Sequence, residues 1–600
     1  MEYLFRPLIA FFFCVEVSVI SADNTWQYII SEHGYDPVTV NDMTKSAKIK
    51  LPEPVCAYVN ITGINKMPTT KTQDLNAWLE CYDGNSNYFR KRVVLNAQGN
   101  SSLSFPKKNL SVKFYETAWG EGKKTNITFG DWVNQDAFHL KAYYTDYFRG
   151  CSKIAYDIYD DIISDREQPL PWQRAGITTS SEKAICHPNG FPCYVYLNDV
   201  FYGLYVWSLK KDYKNMGHEK DNSQHIHLDG LLADNTIFNE KINWTQFDIR
   251  TPKTLYCINT DENMPAEDRQ YLEYDDDHPS ELIDDSMPYY DPNNQGHAIT
   301  NIVKQSIISL SKYYTQLRKL DTSKPTSQTF KYYFSQFFDT QGLTDYIVHS
   351  LVTNNYDGHW KNWQWFTYDG KKWYVEPYDL DCTFGHHDSG AFIFPPEWNH
   401  QHGTYFFEFP VNAGIQQLFL KYFFDEIKER YITLRKKQLI DAQRYITYFK
   451  CWADRITSEG FDMEYAKWRN SPCIMETIVN SNWTTEDNWE NYLKYPAYSP
   501  DSTYYAGDKC KDIFRIWTAT ATTKGVRPYK QYGQRDSQER VEQWITRRIA
   551  LLDEYFKFDP DAINGMKSEK NATISKILLD THLYIIKDDK VYSVDGKRIN

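Results

Sequence analysis

The chain lacks a Cys-x-x-Cys pair and any His-rich spacing, which excludes the local ligand pattern of a structural zinc finger. It lacks a basic excess. Lys and Arg number 67 against 79 Asp and Glu, for a formal net charge of −12. That balance argues against nucleic acid as a main partner. No internal repeat is present, and no apolar run is long enough to span a bilayer. The run from Leu8 to Val15 is short, follows Arg6 and precedes small residues at Ser21 and Ala22. It reads as a signal peptide over residues 1–22, so the mature chain is expected to start near Asp23 and to be secreted or displayed at the cell surface. Ten of the eleven cysteines lie beyond that leader. An even number permits disulfides in an exported chain. Cys186 and Cys193 bracket a short Pro/Gly loop and form the expected pair.

Six hundred residues exceed one core and imply two or three domains, or one large lobed domain. Hydrophobic residues make up 41%, enough for globular folding. Aromatic residues make up 16%, and an aromatic-rich surface suits contact with a glycan or a protein. Sequons such as Asn60-Ile-Thr and Asn126-Ile-Thr matter only in a eukaryotic secretory pathway.

Strand character dominates residues 50–115, with Arg90–Ala97 and Leu110–Tyr115 as strands around a polar loop. Residues 194–207 read as a hairpin turning at Asn198-Asp199. Residues 212–300 are acidic and aperiodic and read as an insertion. Helical pattern covers Tyr147–Ile163, Ile302–Leu320, Leu343–Tyr356, Gly414–Asp441 and Gln443–Ile456, with residues 460–535 irregular. A last helix runs from Ser537, its N-cap, to Tyr555. Residues 571–600 form a separate β-hairpin tail.

The chemistry concentrates between Asn354 and Gly385. Asp357 and Asn362 stand five positions apart, the interval from Asp to Asn in a kinase catalytic loop. Residues 363–368 and 372–376 read as strands around a two-residue turn at Asp369-Gly370. The return strand leads to Asp379 and Asp381. Alternating residues share a face, so both carboxylates can meet one hard cation, Mg²⁺ or Mn²⁺, with the Asn362 carbonyl as a further ligand. Asp357 is placed to accept a hydroxyl proton. Alone, each piece also reads as an ordinary polar turn. The loop from Gln98 to Lys108 supplies Asn100, Ser101, Ser102, Lys107 and Lys108 between two strands, groups that suit a phosphate. It is neither a Walker A loop nor G-x-G-x-x-G.

Taken together, QGNSSLSFPKKNLSVKF (98–114), YVYLNDVFYGLY (194–205), NNYDGHWKNWQWF (354–366), YVEPYDLDCTFG (374–385) and RRIALLDEY (547–555) resemble the spore-coat CotH kinase-like family of exported atypical kinases. The resemblance covers roughly residues 50–556. It implies transfer of phosphoryl from ATP to Ser/Thr of an exported or surface protein. Asp357 would be catalytic, Asp379 metal-binding, and Lys107 and Lys108 near the nucleotide. Two positions depart from the family pattern. Leu209 stands where members carry a Glu, with Lys210 and Lys211 following, and Pro377-Tyr378-Asp379 replaces Pro-Trp-Asp. Lys210 or Lys211 is expected to offset the missing Glu at the phosphates.

The expected fold is α+β: a two-lobed atypical protein-kinase-like domain over residues 23–556. Its β-rich lobe covers about 50–211 and its helical lobe about 301–556. Two other readings stand beside the kinase: a non-catalytic CotH-like adhesin or pseudokinase, favoured by Leu209, and a carbohydrate-active hydrolase.

Overall fold

The computed structural model describes residues 40–99, 101–177, 183–219, 222–230, 247–250, 301–355, 357–359, 362–397, 414–486, 494–513 and 515–560, with Trp26 and Ile242. In the tail it describes 574–579, 582–587, 590–593 and 598–599. The expected leader, Asn100 and most of the acidic insertion lie outside the described residues.

Seven strands form the first body: β1 (Ala57–Thr62), β2 (Leu75–Tyr82), β3 (Asn87–Gln98), β4 (Asn109–Tyr115), β5 (Ala137–Lys141), β6 (Gly190–Leu197) and β7 (Val200–Leu209). Their order is β3-β2-β1-β6-β7-β5-β4, and β4 pairs back onto β3 from Arg92↔Tyr115 to Gln98↔Asn109. The sheet therefore closes into a barrel. Every pair in it is antiparallel except β1–β6. Alternation supplies the interior: Leu79, Val93, Leu95, Val112, Phe114, Phe138, Leu140, Val195 and Trp207 fill it as one apolar cluster. The β6–β7 hairpin turns at Asn198-Asp199, whose φ values of 47° and 68° suit a type I′ turn.

This closed barrel overturns the expectation of a two-lobed kinase-like fold. Alternating strands announce themselves in sequence, but the hydrogen bonds that join a first strand to a last do not. Twelve-residue β3 is long enough to pair along both edges, with β2 on one side and β4 on the other.

A second sheet has four strands, β8 (Ile226–Gly230), β9 (Phe247–Arg250), β10 (Trp363–Thr367) and β11 (Trp373–Pro377), in the order β9-β8-β10-β11. The β10–β11 connection is longer than the two-residue turn expected. Thr367 pairs with Trp373, and Asp369 Oδ1 accepts from the backbone N–H of Lys371 and Lys372, both at 2.8 Å.

Helices α1 (Cys151–Ile163), α2 (Asn301–Thr322), α3 (Ser327–Phe337), α4 (Thr340–Thr353), α5 (Gly414–Tyr422), α6 (Phe424–Lys436), α7 (Ala442–Lys467) and α8 (Gln538–Phe556) pack around this sheet and one side of the barrel through a shared apolar core. Ser537 caps α8 as its sequence implies, accepting from Arg540 N–H at 3.1 Å. α7 does not stop at Ile456. It kinks at Thr457, where φ is 71°, and runs on to Lys467. Within the span read as irregular, described residues between 478 and 531 form short two- and three-stranded sheets around a core of Trp483, Tyr504, Cys510 and Trp517. The tail forms a four-stranded antiparallel sheet rather than a hairpin. The nine described cysteines are all free and buried, so the expected Cys186–Cys193 disulfide is not formed. Cys193 is committed to the barrel interior and Cys186 to a separate small core.

Candidate functional site

The acidic site grows from two chain reversals at the open end of the β10–β11 hairpin. Helix α4 ends at Asn354, which takes the left-handed conformation that Asn tolerates. A short 3₁₀ turn, Asp357–His359, follows. Tyr346 Oη and Gln416 Nε2 both donate to the Gly358 carbonyl, at 2.8 and 3.0 Å, and fix that turn. Asn362 then enters β10 with φ 60°, and Asp379 leaves β11 with φ 50°. The two are stitched by Tyr378 N–H donating to the Asn362 carbonyl at 3.1 Å. Asn362 Nδ2 donates to Asp357 Oδ2 at 2.6 Å. After Asp381, Phe384 N–H donates to the Thr353 carbonyl at 2.7 Å, which ties the acidic loop to the end of α4.

Asp357, Asp379 and Asp381 share one electrostatic neighbourhood. Burial, then the Asp379 charge, then the Asp357 charge hold the Asp381 carboxyl well above the ordinary carboxylate range, and Lys141 opposes them. A buried carboxylate facing two further carboxylates is a place where a divalent cation relieves repulsion. Asp379 is a third exposed, and Lys141 Nζ stands 4.0 Å from its Oδ1. The donor set is hard oxygen, so the residues present fit Mg²⁺ or Mn²⁺.

Lys141 is a residue beside the acidic loop that the sequence reading missed. It ends β5 on the face opposite to Phe138 and Leu140, and its ammonium donates to Gln98 Oε1 at 3.1 Å. The signal was present as an alternation, Ala-Phe-His-Leu-Lys, in which one lysine falls on the outward register.

The polar loop overhangs this lysine. Asn109 Oδ1 accepts from Ala142 N–H at 2.7 Å, while Asn109 Nδ2 donates to Ser102 Oγ at 3.2 Å. Ser101 opens the 3₁₀ turn beside it and is exposed. Asn100 lies outside the described residues. The two loop lysines turn elsewhere. Lys107 is buried against Glu464, Nζ to Oε1 2.7 Å, with both side chains wholly shielded from solvent. Lys108 folds back to donate to the Leu103 carbonyl at 2.6 Å and to that of Phe105. Lys210 is buried, and its backbone exchanges hydrogen bonds with Gln135. Lys211 pairs with Asp229 and lies 3.8 Å from the centroid of the Tyr378 ring, next to Asp379. Leu209, 2% exposed, packs into the barrel interior.

Residues 95–443, more than half of the chain, match the family model described as CotH kinase protein. The match places the chain in a kinase-related class of protein. The chain is a member of the CotH kinase family. No curated protein matches it. Among the described residues, no helix is long and apolar enough to cross a membrane.

Proposed function

We propose that this CotH-family protein is an exported kinase that transfers the γ-phosphoryl group of ATP to a Ser/Thr hydroxyl of an exported or surface protein. The observation that supports the reading is the electrostatic influence of Asp379, Asp357 and Lys141 on Asp381, with Lys141 Nζ 4.0 Å from Asp379 Oδ1. Asp379, Asp381 and Asn362 would hold a divalent cation, which supplies neutralisation of phosphate charge when bound with ATP. Lys141 contributes a fixed cation that Gln98 orients toward the same region. Asp357, held at 2.6 Å by Asn362, is the group that takes or orients the acceptor's hydroxyl proton. Ser101 and Ser102 offer hydroxyls from the loop above Lys141, with Asn100 beside them in sequence. Lys211 is the cation next to Tyr378 that serves in place of the Glu absent at Leu209.

The test is ATP binding and phosphoryl transfer with Mg²⁺ or Mn²⁺ supplied. Lys141→Ala and Asp379→Ala should lose nucleotide affinity. Asp357→Ala should bind ATP normally and transfer about 10²–10⁴-fold more slowly. If the unmutated chain binds no ATP under these conditions, the protein is the non-catalytic adhesin or pseudokinase, the reading that Leu209 favours.

A further inference from the structure

Behind the acidic loop lies a second cluster, built from residues far apart in sequence. Asp146 precedes α1, Cys151 is its first residue, and His386 follows the acidic loop. One ligand atom from each falls within 4.8 Å of the others, and all three residues are buried. Cys151 Sγ is 3.6 Å from His386 Nδ1 and 3.1 Å from Asp146 Oδ1. Sulfur, nitrogen and oxygen donors on a tetrahedron around zinc, with bonds of about 2.0–2.3 Å, stand about 3.3–3.7 Å apart. The Thr383 carbonyl oxygen, 3.1 Å from His386 Nδ1, is a further oxygen donor beside the cluster.

We infer that Asp146, Cys151 and His386 form a structural binding site for a borderline-soft divalent cation, Zn²⁺ in particular, separate from the oxygen-ligand site at Asp379 and Asp381. Three features point there beyond the ligand atoms. The far ring nitrogen of His386 is 2.6 Å from Asp536 Oδ2, the carboxylate support that orients a metal-bound imidazole. Asp536 is in turn gripped by Arg540 at 2.6 and 2.7 Å. The Asp146 carboxylate is held before any cation arrives, by the backbone N–H of Phe148 at 2.8 Å and of Cys151 at 2.7 Å.

The charges also balance. A dication, a carboxylate, a thiolate and a neutral imidazole sum to zero, beside an Asp536–Arg540 pair that is itself neutral. Zinc binding therefore displaces the thiol proton to solvent as the Zn–S bond forms. The local-spacing rules for zinc do not detect this site, because positions 146, 151 and 386 meet only through the fold.

The test uses the full chain, purified without chelators and analysed for metal. The expected result is about one zinc per chain, and on Co²⁺ exchange a thiolate-to-cobalt charge-transfer absorption. Cys151→Ser should abolish that absorption. Asp536→Asn should keep the ligands and weaken zinc affinity about 10–100-fold. Asp379→Ala should leave the zinc in place. Wild-type protein with no bound zinc and no cobalt–thiolate absorption would overturn the inference. So would a full zinc equivalent in folded Cys151→Ser. The cobalt spectrum needs only the wild-type chain, so it decides even if Cys151→Ser fails to fold.

Discussion

A lysine ammonium wholly removed from water is costly unless its charge is met at once. Lys107 is such a residue, and Glu464 meets it while also accepting from Arg149 Nε at 2.7 Å and Leu204 N–H at 2.7 Å. Gly203 makes the crossing possible, because a Cβ there would stand 2.8 Å from Lys107 Cε and 3.0 Å from Glu464 Oε2. Removing one member of this buried trio strands the others. Glu464→Gln should therefore destabilise the fold by about 3–5 kcal/mol, read as a lowered denaturant midpoint with an unchanged slope. A loss under about 1 kcal/mol would mean that water reaches the cluster. The Lys107 side of this pairing was readable as a charged residue in a loop. Its partner was not, because Glu464 lies past Thr457, where the helix kinks and the sequence pattern ends.

At the scale of elements, the acidic hairpin was the most legible part of the chain. The strands, their order and the position of Asp379 after the return strand follow from alternation and from turn residues. What could not be read was the burial of its inward face. Glu376 pairs across the hairpin with Gln364, and both are wholly buried. Burial raises the Glu376 carboxyl to about 7, although Arg174 and His187 pull it down. Burial opposes the neighbouring His187 imidazolium, but Asp160 at 2.9 Å outweighs it, and the ring is raised to about 9. Both groups bind their proton more tightly folded than unfolded. Glu376 therefore contributes stability that is present below about 4.5 and lost as pH rises through 7. His187 contributes stability that is present below 6.5 and lost through about 9. The melting temperature should fall steadily across that whole range. Glu376→Gln should flatten the fall below about pH 7, a difference of at most about 3 kcal/mol at neutral pH. Calorimetry over a pH series checks it, and an unaltered slope in the variant would exclude Glu376 as the source.

For the whole molecule, closure of the barrel governs what the family likeness means. Two residues of the site, Lys141 and Gln98, end strands on opposite sides of β4. Their separation is fixed only because β3, β4 and β5 are consecutive staves of one closed wall. Sequence motifs point to the acidic residues of the proposed site, while Lys141 needed the register of that wall. The helices complete the same unit. Arg548 of α8 is buried and donates to the Leu351 carbonyl of α4 at 2.8 Å and to the Pro396 carbonyl at 2.7 Å. Trp544 Nε1 donates to the Phe394 carbonyl at 2.9 Å.

The family match stops at residue 443, yet Glu464, Asp536 and Arg548 all lie beyond it. A chain cut at 443 would keep every residue proposed for phosphoryl transfer and still leave Lys107 charged in an apolar seam. It should be recovered unfolded or aggregated, whereas a chain ending at 560 should give the cooperative melt of the intact protein. A folded, cooperatively melting 443-residue fragment would show the later helices to be ornament. What evolution has kept recognisable and what must be inherited together are, in this protein, different lengths of chain. Shuffling or fusing the domain at its recognisable boundary would transmit the chemistry without the means to fold it.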